Sequence, residues 1–294
     1  MKLTKNQKIF SDGNIEINSM LYEISDKEID KILLMQKKDR DELLSKLANI
    51  MLEYEVKDDK LSLNDVQKAK ILKKITKEIT NKFSNEIKLE NIQIDKLFSS
   101  ISEDKYYLNT YLLSLGLDFS AKKVSDKVLK SIVNKKVNGK LYSDRLWSNK
   151  NELSKILKKE IRDFISGNTS VNDISNIIRK KFNRNAYETK RLINNETARI
   201  LEEVNNKWMD DLEVEDVMYL STLDGSTCEE CNMYDSKVYK ANNKPVELPQ
   251  HVGCRCTYSA IPSHDWKPKN RMDNTNKDII DYKEYRDWKE NNVS

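Results

Sequence analysis

The chain has four cysteines, and all of them fall between positions 228 and 256. They read Cys228-Glu-Glu-Cys231, then a long loop, then His251-Val-Gly-Cys254-Arg-Cys256. Two ligands two residues apart, a loop and a second close pair suit a tetrahedral zinc ion, because a short turn presents both thiolates to one metal. Cys228, Cys231 and Cys254 serve in either of two arrangements, completed by Cys256 or by His251. An extended backbone over residues 254–256 turns Cys254 and Cys256 to one face. A tight turn at Gly253 pairs His251 with Cys254 instead. The four-cysteine set is slightly preferred. With four protein ligands the site is closed, so the expected cofactor is a structural Zn2+ and not a water-activating one.

Other cysteine chemistries fit less well. The first twenty residues scatter single apolar residues among Lys, Asn, Ser and Asp, with no apolar signal core, which predicts a chain kept in reducing cytosol and argues against disulfides. Glu229 and Glu230 put negative charge between Cys228 and Cys231, which opposes a reactive thiolate but suits a bound cation. No P-loop, H-E-x-x-H or G-x-S-x-G pattern is present, and the two histidines are His251 and His264. The expectation is therefore a protein that is not an enzyme, has no catalytic residues and takes no small-molecule substrate.

The elements that must position these ligands follow from composition and periodicity. Charged residues make up 34% of 294 positions, while only six glycines and four prolines interrupt the chain. That balance favours long solvated helices. Lys plus Arg number 52 against 48 Asp plus Glu, interleaved, so bulk charge gives no case for nucleic acid, and no apolar run has membrane-spanning length. The Ser25-Asp-Lys-Glu28 pattern predicts a helix start, followed by Ile29, Ile32, Leu33, Leu43, Leu47 and Met51 at helical spacing. Asp58-Asp59 breaks it. Ser62 to Asp65 offers a second start for Val66 to Phe83, and Ile101 to Leu115 predicts a third helix ending at Gly116.

Ala121 to Val133, the run from Tyr142 to Gly167, a short helix capped by Ser170 and a longer one from Ala186 to Trp208 continue the helical pattern past the Asn138-Gly139 turn. After Asp211 the texture changes, with strands expected at Val217–Leu220, Lys237–Tyr239 and Arg255–Ala260 and a turn at Asp224-Gly225. Ile279, Tyr282, Tyr285 and Trp288 fall near one face of a terminal helix. The fold class expected is mainly α, with helical N-terminal and central regions and a small β-rich zinc-stapled C-terminal module. Its parts are a helical region at 1–115, a helical half at 116–210, the cysteine module at 211–262 and a linker with a terminal amphipathic segment at 263–294.

The order Asp224-Gly-Ser-Thr-Cys228-Glu-Glu-Cys231, Asp235-Ser-Lys-Val-Tyr239 and Pro249-Gln-His251-Val-Gly-Cys254-Arg-Cys256 resembles the C-terminal signature of Mu F-like phage head-morphogenesis proteins. Upstream, Tyr142-Ser-Asp-Arg-Leu-Trp147, Gly167-Asn-Thr-Ser170 and Arg191-Leu-Ile-Asn-Asn-Glu196-Thr-Ala198-Arg199 look like that family's helical half. Asn195-Glu196 stands where the family usually has Thr-Glu, and Val252 where it usually has proline. The resemblance covers roughly residues 116–262 and implies a minor capsid protein in few copies near the portal. The partners it implies are the portal protein and the major capsid or scaffolding protein, with packaged DNA in some members. It also implies a phage-head location, with host cytoplasm during assembly. A zinc-dependent DNA-binding module using Lys237, Lys240, Lys244 and Arg255 is one alternative, and a phage-borne effector or toxin enzyme is another. Arg145 and Glu196 read as helix-surface or helix-pairing residues and not as polar functional ones, and Lys155, Lys158, Lys159 and Arg162, mixed with Glu152 and Glu160, as a solvated face.

Overall fold

Thr4 starts the first helix. Its hydroxyl accepts the Gln7 backbone N–H (3.2 Å) while the Gln7 side chain accepts that of Thr4 (3.0 Å), a reciprocal capping box. The computed structural model, which describes residues 3–117, 123–221, 229–266, 270–272 and 279–281, therefore carries helix α1 over Lys5–Glu53. This corrects the start expected at Ser25, whose hydroxyl lies mid-helix, buried, and 2.9 Å from the hydroxyl of Thr197. A hairpin of β1 (Val56–Lys57) and β2 (Lys60–Leu61) turns through Asp58 and Asp59, both at positive φ.

Asn64 and Gln67 form a second capping box (2.9 Å in each direction) at the head of α2 (Asp65–Ser114). The two helices expected between Ser62 and Gly116 are one. α3 (Asp126–Val133) is capped by Ser125, whose hydroxyl accepts the Val128 N–H at 3.3 Å. Asn138 and Gly139, at φ 52° and 76°, make the expected turn. α4 (Tyr142–Ile165) ends where Gly167 takes φ +80° and the carbonyls of Arg162, Asp163 and Phe164 accept the amides of Ser166, Asn168 and Gly167. Ser170 caps α5 (Val171–Asp211), which absorbs both the short and the long helix expected there.

β3 (Asp216–Leu220), α6 (Glu229–Tyr234), β4 (Val238–Lys240) and β5 (Thr257–Ala260) follow, then a hairpin of β6 (Asn270–Met272) and β7 (Ile279–Asp281). Ile279 thus begins a strand and not the expected terminal helix. Tyr282, Tyr285 and Trp288 lie outside the described residues. The chain is mainly α-helical with a small sheet near its C-terminus, as composition and periodicity predicted. Among the described residues no helix is long and apolar enough to cross a membrane.

Packing divides the chain into two compact units, residues 1–22, 99–133 and 198–294 in one and residues 23–98 and 134–197 in the other. The second gathers stretches of α1, α2, α4 and α5 around Leu47, Ile75, Ile79, Phe83, Leu157, Phe164, Ile178 and Phe182. Arg145 on α4 donates to Glu196 on α5 at 2.6 Å, which gives both residues the helix-pairing role, one of the two structural roles expected for them. Lys155, Lys158, Lys159 and Arg162 are exposed or half-buried on α4.

The first unit buries Phe10, Trp208, Tyr219, Tyr258 and Trp266. Trp266 sits edge-on to Phe10 (5.2 Å) and donates to the Leu113 carbonyl at 3.1 Å. Arg199 closes the end of α3, donating to the carbonyls of Ile132 (2.9 Å) and Val133 (3.3 Å), which lack partners inside that helix.

Candidate metal centre

β3 is the central strand of an antiparallel sheet ordered β4-β3-β5, with Val217 opposite both Tyr239 and Ala260 and Leu220 opposite Thr257. All four residues of β5 are buried. Asn205 of α5 donates to the Tyr258 carbonyl at 2.7 Å, and the Tyr258 hydroxyl donates to the Val246 carbonyl at 2.8 Å, so the sheet is fixed to the helix on one side and to the 241–256 loop on the other. After β3, the backbone N–H and hydroxyl of Ser221 both donate to Asp235 at 2.8 Å, which ties the end of the strand to the residue that follows α6.

Two elements bring the ligands together. α6 carries Cys231, whose side chain is buried. The loop supplies His251 and Cys254 from one tight turn: the Cys254 N–H donates to the His251 carbonyl at 3.1 Å, and Gly253 between them takes φ +80°. Glycine adopts that left-handed conformation without the steric cost a Cβ would add. This is the knuckle arrangement that the sequence left as the alternative to an extended 254–256 segment.

The ligand atoms of Cys231, His251 and Cys254 all lie within 4.8 Å of one another, with both cysteines buried and the imidazole exposed. Cys231 Sγ stands 3.4 Å from His251 Nε2. Around one tetrahedral zinc, bond lengths of about 2.3 Å to sulfur and 2.0–2.1 Å to nitrogen put such atoms about 3.6 Å apart. The donor set therefore fits a metal ion. His251 Nδ1 lies 3.0 Å from the Val252 carbonyl. A proton held on Nδ1 by that carbonyl leaves Nε2 with its lone pair toward Cys231, the tautomer a metal needs.

The remaining sequence candidates are placed differently. Cys228 lies outside the described residues, as does the Asp224-Gly225 turn. Cys256 stands beside the trio and not in it. Its thiol hydrogen-bonds that of Cys254, and this contact first, with burial second, pushes the Cys254 pKa well up when no cation is there to hold the thiolate. Tyr219 was not singled out from sequence. Its hydroxyl lies against Cys231 and Cys256 with its pKa raised, mainly by burial, and its ring packs on Tyr234 (5.6 Å) and Tyr258 (5.3 Å). Gln250, also missed, has its Oε1 3.7 Å from Cys231 Sγ. Neither carries a spacing signal, because Tyr219 reaches the thiols from β3 and Gln250 reaches Cys231 only when the loop packs on α6.

Three of the four basic residues weighed for DNA contact have side-chain partners in the same unit. Lys240 pairs with Asp216 at 2.9 Å, and Lys244 lies over the Tyr258 ring (4.5 Å) and 3.6 Å from Glu202. Arg255 lies over the Tyr22 ring at 4.7 Å, and Lys237 is exposed. Comparison of the chain with protein-family models, with curated proteins and with solved structures gives no match.

Proposed function

We propose that this chain is a structural and assembly protein of a phage head, of the Mu F-like minor capsid kind, whose C-terminal module is held by a structural zinc ion. The observation that carries the reading is the trio Cys231, His251 and Cys254, formed by the two stretches whose order resembles the family signature. Cys228, three positions before Cys231, completes the set in this reading and Cys256 does not. Zinc there acts as a staple: a three-stranded sheet of short strands buries little apolar area by itself, and metal–ligand bonds supply folding energy that the module lacks. The Arg145–Glu196 pair joins two further stretches of the resemblance, Tyr142–Trp147 and Arg191–Arg199.

The partners in this reading are the portal protein and the major capsid or scaffolding protein, reached through helical surfaces during assembly in host cytoplasm. Direct DNA readout by the sheet is the weaker reading, since Lys240, Lys244 and Arg255 already have intramolecular partners. Quantitative mass spectrometry of purified heads tests the proposal. A few copies per particle, and co-purification with the portal protein on co-expression, are expected. Absence from heads together with no portal association refutes the assembly role, and salt-sensitive duplex binding abolished by chelation would transfer the assignment to a zinc-dependent DNA-binding module.

A further inference from the structure

The unit built from residues 23–98 and 134–197 contains a buried polar layer contributed by four helices. α1 gives Gln36, α2 gives Glu86 and Glu90, α4 gives Lys150 and α5 gives Thr189, and each is at least nine-tenths buried. Lys150 Nζ lies 2.8 Å from Glu90 Oε1 and 3.5 Å from Glu86 Oε2. The Gln36 amide also donates to Glu90 Oε1, at 2.9 Å, and reaches Thr189 Oγ1 at 3.3 Å. Glu90 is thus furnished with donors as an anion should be. Glu86 is not: both of its oxygens are buried and neither accepts a hydrogen bond. The Oε2 of Glu90 and the Oε1 of Gln36 are likewise buried acceptors with no donor.

Two carboxylates and one ammonium leave the layer one positive charge short, with four acceptor oxygens unfilled. A carboxylate taken from water without donors is among the most costly groups to bury, and such groups ordinarily neutralise instead. A metal ion is a poor source of the missing charge, because the Lys150 ammonium already stands between the two carboxylates. A proton needs no added space. On a carboxyl it also converts one acceptor into a donor, and the layer offers unfilled acceptors for it. Beside the layer, Asp39 and Glu42 of α1 share the single ammonium of Lys82 of α2, so that group brings no spare positive charge to Glu86.

We propose that Glu86 binds a proton at neutral pH, so that this four-helix core is a proton-binding site whose stability depends on keeping it. In the unfolded chain Glu86 is an ordinary carboxyl, ionised above about pH 4.3. The folded state then holds one more proton than the unfolded state, and folding weakens as pH rises, by about tenfold in the equilibrium constant per pH unit, until the folded carboxyl itself ionises. Release of the proton leaves two buried anions sharing the one Lys150 ammonium, so alkaline conditions loosen this unit.

Denaturant unfolding of the full chain, wild type against Glu86→Gln, across pH 5 to 9 tests this. The variant, which keeps the shape and the neutral charge, is expected to equal or exceed wild-type stability at pH 7 and to lack the one-proton component of the pH slope. A variant that is weaker at pH 7 with the slope unchanged means that Glu86 is the ionised partner of Lys150, and overturns the proposal. If Glu86→Gln does not fold, infrared spectroscopy in D2O decides. Glu202 is another buried carboxyl, and burial pushes its pKa up, so the spectrum is taken on Glu202→Gln. A protonated-carboxyl band persisting there at pH 7 supports the assignment, and its absence overturns it.

Discussion

Replacing His251 by alanine and Cys256 by serine should have unequal effects on metal binding. In the folded chain His251 Nε2 is 3.4 Å from Cys231 Sγ and within 4.8 Å of Cys254 Sγ, whereas Cys256 is a neighbour of the trio. Apparent binding energies of structural zinc, roughly 10–16 kcal/mol spread over four ligands, come to about 2.5–4 kcal/mol for each. Loss of one ligand therefore lowers affinity by about 10²- to 10³-fold. His251→Ala, and the control Cys231→Ser, should fall in that range, while Cys256→Ser should stay within about tenfold of wild type. The assay is competition for zinc with a chromophoric chelator under reducing conditions, with metal content checked by elemental mass spectrometry. Each thiol must lose its proton to bind, so wild-type affinity should also fall by about tenfold per pH unit per cysteine ligand below neutral pH. If His251→Ala binds like wild type and Cys256→Ser does not, the four-cysteine set is the true one and the geometric reasoning fails. If no metal binds wild type, the staple itself is refuted.

Three further outcomes follow from particular contacts. Arg199→Ala removes two bonds to the last carbonyls of α3 and should cost about 2–3 kcal/mol, read by denaturant unfolding, with faster amide exchange in α3; unchanged exchange would dismiss the clamp. Gly253→Ala places a Cβ at φ +80° and should cost about 1 kcal/mol of stability with weakened metal binding, since nothing within 4 Å would clash and backbone strain alone acts. Lys105 is fully buried and its pKa is pushed down by burial to about 7. The unfolded chain then holds the extra proton between about pH 7 and 10.4, so stability should rise with pH through that window, and Lys105→Met should flatten the rise. An unchanged profile in the variant would show that Lys105 does not titrate there.

The candidate metal centre was legible in its donor types but not in which donors the fold brings together. Cys231 and Cys254 are members of both arrangements, so spacing along the chain could not distinguish them. The decision between His251 and Cys256 rests on one backbone torsion, that of Gly253. A glycine three residues before Cys256 permits the turn without requiring it. The strands at Val217–Leu220 and Arg255–Ala260 were readable because β-branched and aromatic residues concentrate there, and both are observed within two residues of the expected bounds.

The helices were legible where their inward positions are apolar and were lost where those positions are polar. On α1 the residues buried before Ser25 include Gln7, Ser11, Asn14 and Asn18, at helical spacing, so the apolar stripe that marks a helix is thinned over its first twenty residues. On α2 the inward series passes from Phe83 through Glu86 and Glu90 to Ile94, so the gap expected between two helices, residues 84–100, begins at two buried glutamates that interrupt the apolar stripe. One cause explains both errors: apolar periodicity assumes that burial selects apolar residues, and this chain buries paired polar ones along its long helices. Asn14 donates to Asn109 and Asn109 donates to Asn205, as Gln36 and Lys150 donate to Glu90. Such layers oppose sliding of one helix along another, because a one-turn slip would separate every donor from its acceptor inside an apolar core. Helices of 49 and 50 residues, whose repeating apolar stripes would otherwise pack comparably in several registers, are where that constraint has most to do.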